Sequence, residues 1–224
     1  MSPREFQGAF EYEINKYDQT GIVKSDTIFY WLNVSLIQFV ETKFSNTIES
    51  FEETQKVTDE LKNLIAEVSI DTTSYAFRDN GYKALLPENY LHKLNEEVSI
   101  TYTDAEGTAK VKRVGVVDSS SATVTNMLAD PYSPHRLHYG SAKPLRLFTD
   151  VSVILLSDGN YLIPTYYLRY LRIPTKLSLA DPFTEYTDLP SSVHEDVVRV
   201  AALLYLRSLG IPPSQPNENE NKTK

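Results

Sequence analysis

Apolar residues recur at helical spacing towards both ends of the chain and alternate with polar ones through its middle. Near the start, Phe6, Phe10, Ile14 and Tyr17 fall on one stripe, which predicts a helix over 4–17 with Tyr12 off that stripe. Ser25 and Asp26 can cap a second helix that reaches Phe44. On it Ile28, Leu32, Leu36, Phe39 and Thr42 share a side. Phe29, Ile37, Val40 and Phe44 form a second apolar row, and Trp31 adds to the total. Asn46-Thr47-Ile48-Glu49 reads as a cap with Glu at the third helical position, opening a further helix through residue 67. Its narrower seam of Phe51, Thr54, Val57, Thr58, Leu61, Leu64 and Ile65 and its charged remainder predict an exposed far side, and the short connection makes the pair an antiparallel αα-hairpin.

The last helix is announced by Leu189-Pro190-Ser191-Ser192, with Pro suited to a first turn and Ser able to cap. Glu195 and Asp196 then lie near its positive end and Arg207 near its negative end, and Gly210 stops it. The run from Val200 to Leu206 is apolar on every side, so this helix needs cover from more than one direction. Leu203 and Tyr205 point about 200° apart on a helix; the reading makes Leu203 a core residue and Tyr205 an interface residue.

Between these ends the period changes to two. Val98, Ile100 and Tyr102 alternate with polar residues, turn at 104–107, and return through Ala109, Val111, Val114 and Val116. The phase slip near Lys112-Arg113 predicts a β-bulge. Asp158-Gly159 between 151–156 and 161–172 predicts a second hairpin, with Pro164 confining the return strand to an edge or a bulge. A short helix at 122–128 and a Pro-containing loop separate the two hairpins. The end from Pro212 has nothing to bury and reads as a disordered tail.

Composition narrows the chemistry. The chain has 224 residues, no cysteine and a net charge of −8. No disulfide, Cys-based zinc site or cysteine nucleophile is possible. The acidic, polar start does not resemble a signal peptide, and the longest apolar run, 27–40, is too short and too interrupted to span a bilayer; the reading is of a soluble protein. Residues 1–70 are net acidic, whereas 131–176 carry six basic and two acidic side chains. The uneven charge is either ordinary surface variation or a sign that one part of a protomer faces an oppositely charged part of another.

No catalytic, cofactor or metal motif emerges, and none of these roles is assigned to any residue. His135 and His138, with Asp130 nearby, have loop spacing that can ligate a metal but lack a full ligand set. His194 reads as a solvated residue in a first helical turn. His92 has no partner that sequence can name. The strand "YYLRYLR" places Tyr166, Leu168, Tyr170 and Arg172 on one face and Tyr167, Arg169 and Leu171 on the other. Such a strand suits a half-buried sheet, a protein interface or a stack of nucleic-acid bases.

The helix "SDTIFYWLNVSLIQFVETKF" leads into "FEETQKVTDELKNLI". Later comes the segment running from "YLRYLRIPTKLSLADPFTEYTDLP" into the last helix. Together they resemble the structural proteins of tailed bacteriophages that form the neck, or head-to-tail connector and adaptor rings, especially those of crAss-like phages. The matching start of the last helix is Leu189, Pro190, His194, Glu195, Asp196, Val197 and Val198. The resemblance covers about half of the chain and implies a non-enzymatic virion ring, usually of twelve copies. It implies attachment to the portal and other neck or tail proteins, assembly in the host cytoplasm, and passage of double-stranded DNA without specific binding.

The combined expectation is an α+β chain. Residues 1–67 form a helical bundle with 188–210, a β-hairpin-rich subdomain is inserted over 68–180, the lead-in and last helix take 181–210, and 211–224 form the tail. Expected interface residues are Trp31, Tyr166, Arg169, Tyr170, Arg199, Tyr205 and Arg207. The alternative is a virus-encoded enzyme or nucleic-acid-binding accessory protein using the Tyr/Arg strand and the loop histidines.

Overall fold

The first three apolar turns of the chain bury one stripe and leave the rest to solvent, as their spacing dictates. In the computed structural model, which describes residues 1–17, 23–45, 59–149 and 151–211, α1 spans Pro3–Asn15 and buries Pro3, Phe6, Phe10 and Ile14. Ser2 closes a capping box: its hydroxyl accepts from the Glu5 N–H, while the Glu5 carboxylate accepts from the Ser2 N–H at 2.8 Å. Tyr17 falls beyond the helix end and stays partly exposed, so it does not extend the stripe.

The chain is α+β and divides into two compact units, one of Met1–Leu64 with Ile173 onward and one of Ile65–Arg172. In the first, α2 (Ser25–Ser45) buries Ile28, Phe29, Leu32, Ser35, Leu36, Phe39 and Val40. Ser35, the polar member, donates to the Leu32 carbonyl at 2.8 Å and so carries no unpaired hydroxyl into the core. Both α1 and α2 pack on the last helix, His194–Ser208. The segment before that helix is tied to α2 by Asn33, whose amide donates to the Leu177 carbonyl (3.1 Å) and accepts from the Leu177 N–H (2.7 Å).

Three expectations for this unit change. The helix expected over 46–67 lies mostly outside the described residues, as does its αα-hairpin. Its described end stops early: 59–61 are helical, Lys62–Leu64 form a 3-10 turn, and Ile65 begins a strand. The reason is the alternation of Ile65–Ile70, which fits a pleated edge better than a helix. The last helix starts without a side-chain cap; Pro190 leads into a 3-10 turn at Ser191–Val193 instead. Finally, Leu203 is only half-buried, like Leu204 and Tyr205, while Val197, Val198, Ala201, Ala202 and Leu206 form the buried stripe. Gly210, at φ +73°, ends the helix as expected, and the Ile211 N–H returns to the Leu206 carbonyl at 3.0 Å. The expected tail from Pro212 lies outside the described residues.

The second unit is built from nine strands in two sheets. Strands β1 (Ile65–Asp71), β9 (Tyr161–Arg172), β4 (Tyr90–Thr103) and β5 (Ala109–Gly115) form one antiparallel sheet in that order. The other runs β2 (Thr73–Ser74), β3 (Gly81–Leu85), β8 (Ser152–Leu156), β7 (Leu145–Phe148) and β6 (Val117–Asp118), with β6 parallel to β7. Val98, Ile100, Ile163, Tyr166 and Leu168 of the first sheet share a core with Ala84, Val153 and Leu155 of the second. Ile154 and Leu156 face the opposite way, into a second core with Leu145, Leu147 and Val124 of α3 (Val124–Ala129). Strand β8 is therefore buried on both faces, which is why its sequence is continuously apolar from Val153 to Leu156.

Two readings of the β region fail for physical reasons. No hairpin joins β8 to β9: the Asp158-Gly159 turn is present, but the strands it connects belong to different sheets. Gly159 sits at φ +88°, and a Cβ there would come within 2.9 Å of the Asn80 side chain, so the turn does demand glycine. Nor is β5 bulged, since its register with β4 is unbroken from Glu97↔Gly115 to Thr103↔Ala109. The slipped pattern marks an edge strand whose residues 109–113 are all exposed. The irregularity lies instead between β4 and β9, where the register shifts opposite Pro164 in a central strand. Pro164 thus occupies the bulge position rather than an edge. The inserted unit begins at 65 and ends at 172, three residues before and eight before the limits read from composition.

Candidate interaction surface

The seven residues expected at an interface fall on different units and in different environments. Tyr166 is fully buried and Tyr170 is 5% exposed, both in the core of the β unit. Their hydroxyls do not reach solvent: Tyr166 donates to Glu96 (2.8 Å) and Tyr170 to the Asn89 side chain (2.9 Å). Burial and the neighbouring Glu96 carboxylate push the Tyr166 hydroxyl pKa well above its ordinary value. These two residues are core, not surface, because the apolar face of β9 is the face turned towards the second sheet.

The opposite face of β9 is open at Tyr167 and Arg169, although Leu171 on it is buried. Arg169 is exposed and pairs with Glu67 at 3.4 Å. The Arg113 guanidinium lies 3.7 Å above the Tyr167 ring and 3.6 Å from Glu97. A shallow depression of about 390 Å³ runs over this face between Glu67, Asn95, Glu97, Arg113, Tyr167 and Arg169. Its charges are mutually paired and of both signs, which suits a protein surface better than a phosphate backbone.

On the helical unit, Trp31 is half-buried and meets the exposed Tyr30 edge-on at 5.2 Å. Val34 and Ile37 on α2 are half-buried beside the fully buried stripe. On the last helix, α4 (His194–Ser208), Val200, Leu203, Leu204 and Tyr205 are likewise half-open, with the Tyr205 ring 6.0 Å from Phe10. Arg199 is exposed and pairs with Asp196 at 3.3 Å, and Arg207 is exposed in the last turn.

The histidines have structural environments. His194 is 1% exposed rather than solvated. Its Nε2 lies 2.9 Å from the Leu189 carbonyl, which can only accept, so Nε2 carries the proton and Nδ1 is left to accept from the Met1 amino group at 3.0 Å. Phe6 and Tyr186 pack around the ring. Burial, with the nearby amino group adding to it, lowers the His194 pKa. His135 is also buried, and its Nδ1 lies 2.8 Å from the Ser133 hydroxyl. Burial and Arg136 lower its pKa.

Burial alone would raise the Asp158 pKa. The N–H groups of Leu137 and Asn160 and the Asn160 side chain outweigh that, and the net shift is down. Asp158 thus serves the loop backbone, and Ser133 and His135 are closed to solvent. His138 is exposed, and His92 lies within β4 rather than after a helix. Among the described residues no three His, Asp or Glu side chains gather as metal ligands, and no helix is long and apolar enough to cross a membrane.

One charged cluster had no signal in the sequence. Arg146 on β7, only 5% exposed, pairs with Glu96 on β4 and with Asp118 on β6, and its guanidinium lies 4.2 Å from the Phe148 ring centre. Lys93 joins Glu96 at 2.8 Å. The cluster ties one sheet to the other, and its members are too far apart in sequence for any local pattern to reveal them.

No protein-family model and no curated protein matches the chain. The phage-connector resemblance therefore rests on the motifs quoted from its two ends. Within the second motif, His194 and Leu189 are joined by the hydrogen bond described above, so its spacing has a local structural reason.

Proposed function

We propose that this chain is a structural component of a tailed-phage neck or tail connector, assembling into an oligomeric ring between portal and tail. Under this reading the terminal helices form a bundle, and neighbouring copies cover the apolar surface that the bundle leaves half-open. The observation that carries the proposal is the second apolar side of α2 and α4, at Trp31, Val34, Ile37, Val200, Leu203 and Leu204. A helix with apolar groups on both sides gains from a second neighbour, and a ring supplies one on each flank of every copy. The resemblance adds the twelvefold copy number, the portal as partner, and a central path for DNA in the virion. No catalytic step is assigned.

The test is sedimentation of the purified full-length chain, alone and with the portal of the same phage. The expected result is a closed oligomer of one fixed mass, or its formation on the portal. A monomer under both conditions would overturn the proposal. DNA binding by the isolated chain should be weak and vanish with added salt; a salt-resistant, sequence-selective complex would favour a nucleic-acid-binding role instead.

A further inference from the structure

The four-stranded sheet ends in two edges of opposite charge. The β5 edge carries Lys110, Lys112 and Arg113 and no acidic residue; the β1 edge carries Glu67 and Asp71 and no basic residue. Glu67, Asp71 and all of 109–113 are exposed. Among the described residues no strand is hydrogen-bonded to the outer side of either edge. An unpaired edge presents a row of backbone donors and acceptors ready for another strand.

We propose that the outer edge of β5 in one copy pairs with the outer edge of β1 in the next, so that the sheet continues head to tail across copies of this chain. The proposal rests on the ring reading above and names one of its contacts. Three observations converge on a second copy as the occupant.

The first is direction. The order β1-β9-β4-β5 is antiparallel throughout and has an even number of strands. In a head-to-tail repeat the next β1 therefore runs antiparallel to β5 and continues the ladder without reversing its sense.

The second is side-chain parity. Val68 and Ile70 on β1 and Val114 on β5 belong to or pack against the core, so Glu67, Ser69 and Asp71 share the outer face with Ala109, Val111 and Arg113. Any register that keeps core face with core face sets Arg113 in the same row of side chains as Glu67, Ser69 or Asp71.

The third is charge. Pairing β5 with β5 would oppose lysines and arginine, and pairing β1 with β1 would oppose carboxylates, while β5 with β1 brings Arg113 onto the face of Glu67 and Asp71, with Lys110 and Lys112 on the other face. This selects the heterologous contact that builds rings over the two-fold contact that builds dimers.

The experiment uses two charge-reversed full-length proteins, Lys110→Glu/Lys112→Glu/Arg113→Glu and Glu67→Lys/Asp71→Lys, with circular dichroism to confirm that each folds. Alone, each should lose assembly by at least about tenfold in the concentration required, because residue 113 then shares a face with like charge at 67 and 71 and both edges carry the same net sign. Mixed in equal amounts they should assemble again, since alternating copies restore unlike charges at every contact. Hydrogen exchange on the wild type should show the β1 and β5 amides slowed only in the assembled form. If the wild type assembles but the reversed proteins assemble equally well, or the mixture of folded proteins stays dissociated, the edge contact is wrong and the helical surfaces must suffice. If the wild type never assembles, the ring reading fails and this contact with it. Should either reversed protein misfold, unchanged exchange of the β1 and β5 amides on assembly of the wild type would overturn the proposal by itself.

Discussion

The two units of this chain handle apolar surface differently. In the β unit the apolar face of each central strand is matched within the unit: β8 is covered on both faces, and the three buried tyrosines of β9 find acceptors, Tyr161 at the His135 carbonyl, Tyr166 at Glu96 and Tyr170 at Asn89. In the helical unit the stripes of α1, α2 and α4 are buried, but α2 and α4 keep a second apolar side half-open. Apolar area left in contact with water costs roughly 25 cal/mol per Å² relative to its burial. The half-open helix sides are thus one place where an external partner gains from the hydrophobic effect; the β unit also exposes Phe77, Leu85 and Leu162, spread over a loop and separate strands, beside its charged edges.

The sharpest way to break this contrast is to place one charge on each side of α4. Leu206 is fully buried, so Leu206→Asp should unfold the helical unit, the desolvated carboxylate costing several kcal/mol (on the order of 3 or more). Leu203→Asp, on the half-open side, should leave a folded chain that no longer assembles. Tyr205 lies about 200° round the helix from Leu203, on the buried side with its ring beside Phe10, so it is not the interface residue and Tyr205→Asp should destabilise the fold as Leu206→Asp does, though less. Circular dichroism and sedimentation on the three variants decide it, and an unfolded Leu203→Asp would return that residue to the core.

A somewhat smaller effect is expected in the β unit from Arg146→Ala. It leaves the Glu96 carboxylate, which is nearly buried and also holds Tyr166, with Lys93 as its one remaining cation among the described residues, and should cost about 2 kcal/mol in urea denaturation. The companion Arg199→Ala removes only the exposed pair with Asp196 and should cost less than about 1 kcal/mol. Equal losses would mean that the Arg146 cluster contributes no more than a surface ion pair.

Acid should weaken the fold through the buried histidines. His194 and His135 have folded-state pKa values lowered below the ordinary 6.5. Above 6.5 both states are neutral and the stability is fully present. As pH falls through 6.5 the unfolded chain takes up protons first, so stability declines until the folded-state values are passed. Asp158, with its pKa lowered from 3.8, adds its own loss only below about pH 4. Melting temperatures between pH 7.5 and 5 should therefore fall, and His194→Gln should flatten the slope. A pH-independent midpoint over that window would contradict the buried, neutral state of both rings.

What the sequence made legible was whatever depends on neighbours close along the chain. The stripes of α1, α2 and α4, the glycine stop at Gly210 and the β4–β5 hairpin all follow from local period and turn chemistry. The hairpin expected at Asp158-Gly159 failed because a turn residue fixes the bend but not the strand's partner; β8 and β9 separate because each fills a different sheet. The alternation of the Tyr/Arg strand was readable, but not which face meets the core, since that depends on β3 and β8 some distance away in sequence. His194 read as solvated because its cover comes from Met1, Phe6 and Tyr186, none of them on its own helix. Glu96 and Arg146 are fifty residues apart, and no period links them.

The claim on which the account turns is that the half-open sides of α2 and α4 are covered by further copies of the chain. Native mass measurement of the full-length protein over a range of concentrations, with and without the portal, tests it most directly. The account predicts one closed assembly of fixed stoichiometry, lost in Leu203→Asp while that variant remains folded. A monomer at every concentration and on the portal, or an assembly indifferent to charge at Leu203, would contradict it.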